Sequence, residues 1–312
     1  MSSRPGAAEP STVPPRAAEP GAASASSAEP SSAKAELQQH GLQPRRTLGQ
    51  NFLADRGLCE KIAALVAPQR GGVLEIGAGL GALTAPLLGR SQRVVAIETD
   101  RSLTAVLRQK FAREIAAAQL ELVEADAREV DLAGLLAALP TPRTLAGNLP
   151  YHLSGLLLRR AVDLAGFCER LVFLLQLEVV DRLCAAPGTS EYGALSVFAQ
   201  AVYRPRRELI VRRGAFYPQP GVDSAVVVLE LRDPVRPAPS EIFARVVKSA
   251  FEKRRKTLRN AWRGALGVTS SQLELLAQQA QIDLGARGET LSVSAFERLA
   301  ALLEAQRDGD AG

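Results

Sequence analysis

Asn148-Leu149-Pro150-Tyr151 is the segment of this chain best suited to chemistry on an aromatic amine. Such an amine is a poor nucleophile because its lone pair is delocalised into the ring. Acceptors on both N–H groups would draw it toward a pyramidal, reactive geometry, and the Asn148 side-chain oxygen and the Leu149 carbonyl could supply them. Pro150 fixes its own φ and restricts the residue before it, which helps aim that carbonyl. Tyr151 offers a ring on which a base could stack. An adenine amine held this way, attacking a sulfonium methyl in line, needs proximity and desolvation more than a strong base. Phe216 opens a second aromatic segment, Phe216-Tyr217-Pro218-Gln219-Pro220-Gly221-Val222-Asp223-Ser224. Its proline-rich loop could close over the other face of an extruded adenine. It could equally be a hydrophobic loop anchor.

These segments need a frame. Short apolar runs at Val73 to Ile76, Val94 to Ile97, Leu120 to Val123, Thr144 to Ala146 and Leu171 to Leu177 alternate with helix-like stretches such as Leu58 to Val66, Leu80 to Leu88 and Arg101 to Phe111. Buried strands alternating with helices predict an α/β fold, a Rossmann-like parallel sheet with helices on both faces. Arg207 to Val211 and Asp223 to Leu231 follow with little helix between them, which predicts an antiparallel pair at the sheet edge.

Ligands of open α/β sheets bind at the carboxyl ends of the strands, and three features stand there. The first strand runs into Gly77-Ala78-Gly79-Leu80-Gly81, where glycine permits a tight turn and close approach of a ligand to the main chain. Glu98 ends the second strand and could accept hydrogen bonds from ribose hydroxyls. Asp126 follows the third and could accept from the adenine amine of a cofactor. Either acid taken singly would also serve as a helix N-cap. A nicotinamide-dependent dehydrogenase would use Gly77, Gly79 and Glu98 similarly, but leaves Asn148 to Tyr151 without a task.

With these pieces placed, the chain resembles the bacterial small-subunit rRNA dimethyladenosine transferase family from about Arg45 to Leu303. The specific parts are Leu48-Gly49-Gln50-Asn51-Phe52-Leu53, Glu75-Ile76-Gly77-Ala78-Gly79, Asn148-Leu149-Pro150-Tyr151, Gln176 to Leu183, Tyr192 to Val197, the Phe216 loop, and Arg254-Arg255-Lys256-Thr257-Leu258-Arg259-Asn260. The resemblance implies transfer of methyl groups from S-adenosylmethionine to N6 of two adjacent adenosines in a hairpin loop near the 3′ end of 16S rRNA, within the 30S subunit or its precursor. It also implies cofactor contacts from Asn51, Leu53, Gly77, Glu98, Asp126 and Asn148. His152 stands where the family commonly has asparagine. The related family that methylates an adenine of large-subunit rRNA is the nearest alternative, and an assembly factor without catalysis is a third reading.

A formal net charge of +5 suits an acidic partner. From Ile242 to Arg263 eight basic residues stand against the single acid Glu252. Arg245, Lys248, Lys253, Arg254, Arg255, Lys256 and Arg259 in this helical stretch are candidate phosphate contacts, with Arg263 beyond them. Phe243, Phe251 and Trp262 are expected to pack. Asp233-Pro234-Val235-Arg236-Pro237-Ala238-Pro239 reads as a linker, so residues 44–232 are expected to form the catalytic domain and 240–305 a small all-α domain. Residues 1–43, rich in Ala, Pro, Ser and Glu with Glu-Pro recurring at Glu9, Glu19 and Glu29, read as disordered.

The cysteines Cys59, Cys168 and Cys184 lack metal or redox spacing, and their odd number favours a reducing, cytoplasmic setting. The histidines, His40 and His152, argue against a His-based zinc site. No apolar run approaches membrane-spanning length. A monomer without a metal is the expected form.

Overall fold

The computed structural model describes residues 32–67, 69–151, 153–233, 239–253 and 255–310. Nine strands are described: β1 (Phe52–Leu53), β2 (Gly72–Ile76), β3 (Arg93–Glu98), β4 (Leu120–Glu124), β5 (Arg143–Asn148), β6 (Arg170–Gln176), β7 (Tyr203–Val211), β8 (Phe216–Tyr217) and β9 (Ser224–Leu231). Seven of them form one sheet in the order β4-β3-β2-β5-β6-β9-β7. β2 through β6 pair parallel with their neighbours, whereas β9 runs antiparallel to both β6 and β7. The strand order reverses between β2 and β5, and there a crevice opens at the carboxyl ends.

Alternation along the strands divides the interior in two. Leu74, Ile76, Val95, Ile97, Leu145, Phe173 and Val227 face one core, and Val73, Val94, Ala96, Ala146, Val172, Leu174 and Val226 face the other. The second core is closed by α2 (Arg56–Val66), α3 (Thr84–Arg90) and α4 (Arg101–Lys110). α2 and α4 begin at capping aspartates, Asp55 accepting from Leu58 N and Asp100 from Ser102 N. The short α5 (Ala112–Ala116) leads from α4 into β4.

The first core lies under α6 (Leu132–Ala137), α7 (Ser154–Asp163), α8 (Leu177–Cys184) and α9 (Ala194–Val202). It continues without interruption into the C-terminal helices α10 (Glu241–Glu252), α11 (Leu258–Trp262), α12 (Ser270–Gln279) and α13 (Val293–Asp310). Trp262 is fully buried and donates Nε1–H to Val246 O at 3.0 Å. Phe243 is buried too, so these two aromatics pack, as expected for them despite their basic neighbours.

Two differences from the sequence reading stand out. The tail is not unstructured through residue 43: α1 (Ser32–Gln39) is helical, and its Ala33 and Leu37 are buried against Phe52, Leu80 and Leu103. Residues 1–31 lie outside the described residues. The basic stretch from Ile242 to Arg263 is not one helix either. It stops at Glu252 and restarts at Leu258, where Leu258 N and Arg259 N donate to Ala286 O and Leu284 O instead of to the preceding turn. Among the described residues, no helix is long and apolar enough to cross a membrane.

Candidate active site

A cavity of about 220 Å³ occupies the crevice, its walls supplied by the ends of four consecutive strands of the parallel sheet. Gly77 and Gly79 border it after β2, Glu98 and Thr99 at the end of β3, Ala125 to Arg128 after β4, and Asn148 and Pro150 at the end of β5. Ile76, Ile97, Leu103 and Leu157 make part of its wall apolar. The segment from Thr47 to Phe52 covers one side.

The glycine turn is shaped for a close ligand. Gly77 and Gly79 have φ of +76° and +58°, where a side chain would be strained. A Cβ on Gly79 would also stand 3.2 Å from the Phe52 ring. Gly147, on the neighbouring strand, answers a different demand: a Cβ there would lie 2.4 Å from Ile76 O across the β2–β5 ladder.

Glu98 is 7% exposed. It accepts Gly79 N–H on Oε2 at 2.8 Å and Asp100 N–H on Oε1 at 2.9 Å. Burial pushes its carboxyl above the usual range, and those two backbone donors oppose the shift. Each oxygen keeps acceptor capacity for a hydroxyl. Behind it, Glu75 is fully buried and accepts from Thr84 Oγ1 at 2.7 Å. Burial raises Glu75 to about 7, despite the lowering effect of that bond.

Asp126 holds Arg128 by a fork, with Nε at 2.9 Å and 3.0 Å from the two carboxylate oxygens. Arg128 N–H adds a bond of 2.8 Å to Oδ1, and the guanidinium keeps the carboxyl below its ordinary value. Arg160 fastens the same loop through Ala127 O and Val130 O. A ligand amine bound at Asp126 must therefore share the carboxylate with Arg128 or displace it.

Asn148 donates Nδ2–H to Asn51 O at 2.8 Å. That bond holds the amide by one of its two N–H groups, and Asn148 and Pro150 both line the cavity. Leu149 is buried in the first core and donates N–H to Leu174 O at 3.3 Å. Tyr151 is half-buried, and its hydroxyl lies 2.8 Å from Ser224 Oγ. Burial raises its pKa. Ser224 closes the Phe216 segment, so two motifs distant in sequence meet through this contact. Arg212 and the Arg213 N–H, both bonded to Asp223, brace the same loop.

Phe216 and Leu53 are not brought to the cavity. They pair across the β1–β8 ladder and both pack into the second core. A two-residue strand sends alternate side chains to opposite sides, so Phe52 borders the cavity while Leu53 faces away. Phe216 is buried in that core and anchors the loop in this structure, and Leu149 and Tyr151 likewise do not line the cavity. Asn51 does line the cavity, and its Nδ2 donates to Gly49 O at 3.1 Å.

The residue pattern did not single out Gln50, Asp100, Arg128 or Leu103. Gln50 Nε2 donates to Asp100 Oδ2 at 3.0 Å and ties the covering segment to the start of α4. Arg128, two positions from Asp126, could have been found from local spacing; Gln50 and Asp100 meet only in the fold. Arg245, Lys248, Lys253, Arg255, Lys256 and Arg259 are all exposed, and Arg259 pairs with Glu274. Arg254 and His152 lie outside the described residues.

The backbone cradle, the ribose-competent carboxylate and the apolar wall fit an adenosyl cofactor. Strand order and site together place the chain among the class I methyltransferases, which take their methyl group from S-adenosylmethionine. More narrowly, it belongs to the ribosomal RNA adenine dimethylase family, matched over residues 41–304. It is 44% identical to ribosomal RNA small subunit methyltransferase A of Geobacter metallireducens over 268 residues, 84% of this chain and 96% of that protein. With the protein of the same name from Anaeromyxobacter dehalogenans it shares 41% identity over 276 residues, 85% and 95% of the two chains. The crystal structure of a dimethyladenosine transferase from Plasmodium falciparum has the same fold, with TM-score 0.68 at 23% identity over 83% of this chain and 98% of that one. The 23S rRNA methyltransferase ErmE is similar at TM-score 0.60 and 26% identity, over 81% and 100%. Family membership carries the reaction class, dimethylation of adenine in ribosomal RNA, and removes the dehydrogenase reading.

Proposed function

We propose that this chain dimethylates N6 of two adjacent adenosines in the hairpin loop near the 3′ end of 16S rRNA, acting as a cytoplasmic monomer on the 30S subunit or its precursor. The observation that carries the reading is the Asn148–Asn51 bond, which anchors the amide through one of its two Nδ2–H groups at the cavity wall and so orients Oδ1, its acceptor, for an incoming N–H. The names of the relatives favour the small-subunit substrate.

S-adenosylmethionine, when bound, supplies an electrophilic methyl on a sulfonium. Gly77 and Gly79 would let it approach the main chain, Glu98 would accept from its ribose, and Asp126 from its adenine amine. Asn148 Oδ1 and the Leu149 carbonyl hold the two N–H groups of the target amine and localise its lone pair for attack. Pro150 keeps that carbonyl aimed, and the Tyr151 ring, held by Ser224, flanks the base. The apolar wall excludes water, which strengthens each of these bonds. Residues 44–232 form the catalytic unit in this reading. In the 240–305 unit Arg245, Lys248, Lys253, Arg254, Arg255, Lys256 and Arg259 contact phosphates.

The likeness to ErmE makes large-subunit rRNA the competing substrate. Unmodified 30S and 50S particles incubated separately with labelled cofactor distinguish the two. Label in 16S rRNA alone is the expected outcome, and label confined to 23S rRNA would reassign the substrate.

A further inference from the structure

We propose that α1 is a clamp on the cofactor cavity: its docking positions Phe52 and the glycine turn, so that helix docking and cofactor binding reinforce each other. The inference rests on the assignment of that cavity to the cofactor.

Eight residues are too few to hold a helix in water, so α1 persists through what it touches. Ala33 and Leu37, four apart, share one helix face and are 3% and 2% exposed. Their cluster with Phe52, Leu80 and Leu103 is separate from both large cores. Each partner belongs to the cavity or adjoins it. Phe52 and Leu103 line it, and Leu80 follows Gly79, which also lines it. The Phe52 ring lies against the Gly79 turn, closely enough that a Cβ there would stand 3.2 Å away.

Polar contacts fasten the same elements. Lys110 Nζ, at the end of α4, donates to Glu36 Oε1 at 2.7 Å and to Leu80 O at 2.8 Å. Leu42 N closes the end of α1 on Leu37 O at 2.8 Å, with Gly41 at a φ of +64°. From there the chain enters the covering segment, where Arg45 N donates to Gln50 Oε1 at 2.8 Å and Gln50 reaches Asp100. α1 lies upstream of the residues matched to the family. A ligand held between Phe52, Leu103 and the glycine turn restrains the surfaces on which α1 docks, and linkage requires the reverse effect to be equal.

The test uses the full chain and S-adenosylhomocysteine as probe. Calorimetric titration should show Leu37→Asp raising Kd about tenfold, with Leu37→Met restoring it, while affinity for 30S rRNA stays within twofold. In turnover, KM for the methyl donor should rise more than kcat falls. Hydrogen exchange of the native protein adds an independent readout: the amides of 33–42 should gain protection when the probe binds. Should Leu37→Asp fail to fold, Leu37→Ala and the exchange experiment carry the decision. Unchanged probe affinity in Leu37→Asp or Leu37→Ala, or exchange at 33–42 indifferent to the probe, would overturn the clamp. Glu98→Ala separates the two readings: if that variant binds the probe normally, the cavity assignment falls, whereas weakened binding there with full affinity in Leu37→Asp removes the clamp alone.

Discussion

The crevice at the strand ends and the basic face of the C-terminal helices are built on opposite plans. In the crevice the polar groups are committed: Glu98 holds two backbone amides, Asp126 holds Arg128, and Asn148 holds Asn51. On α10 and the turn beyond it, Arg245, Lys248, Lys253, Arg255 and Lys256 stand exposed. A committed group works by where it is, and its loss disturbs its partners as well. An exposed cation contributes charge that its neighbours also supply. Substitutions in the crevice should thus be large and specific, and those on the helices small and roughly additive.

The largest effect is expected from Asn148→Ala. Methyl transfer should fall by about 10²–10³-fold or more, the scale for losing one group that stabilises a transition state. Cofactor affinity should fall far less than turnover, because the lost acceptor serves the target amine while only the bond to Asn51 and one cavity contact touch the cofactor side; full activity in this variant would remove Asn148 from its role. Glu98→Ala comes next. Losing the ribose acceptor should weaken S-adenosylhomocysteine binding by about 10²-fold, on the scale of hydrogen bonds to a charged group. An unchanged dissociation constant by calorimetry would take Glu98 out of the site.

The helical face is tested by replacing Lys253, Arg255 and Lys256 together with Gln. RNA affinity should drop by about tenfold, and the slope of log K against log salt should flatten by roughly 2, a little under one for each phosphate no longer neutralised. A parallel shift with the slope intact would mean that these residues do not meet phosphates. Cofactor binding should not respond.

The last effect concerns stability rather than binding or turnover. Glu75 sits at about 7 in the folded protein against an ordinary 4.5, so the folded state keeps a proton that the unfolded chain releases across that interval. Stability should therefore fall as pH rises from about 4.5 to 7 and level off above. Glu75→Gln retains an acceptor for Thr84 and removes the titrating group, so its melting temperature should lose this decline and exceed that of the parent at pH 8. A parent whose stability rises across the interval would contradict the assignment.

The same contrast explains what could be read from the sequence. The central strands were legible because each is a short apolar run between glycine or acidic punctuation. The glycine turn, Glu98, Asp126 and Asn148 were legible because open sheets gather ligands at strand ends, whatever the intervening helices do. The place of Phe216 could not be read, because it depends on a two-residue ladder with β1, a pairing between segments far apart in the chain. α1 was missed because eight residues do not make a helix by themselves: Ser32 to Gln39 differs from the tail before it, with Lys34, Leu37, Gln38 and Gln39 and no proline, but it takes Ala33 and Leu37 meeting Phe52, Leu80 and Leu103 to hold it. The break in the basic stretch depends on carbonyls of Leu284 and Ala286, again remote in sequence. Local chemistry was visible; long-range packing was not.

The most direct measurement is methyl transfer from labelled S-adenosylmethionine to 30S particles lacking the modification, mapped by primer extension for the parent chain and for Asn148→Ala. The parent should produce stops at two adjacent adenosines near the 3′ end of 16S rRNA, and the variant none. Label elsewhere in the RNA, or the same stops from Asn148→Ala, would contradict the account.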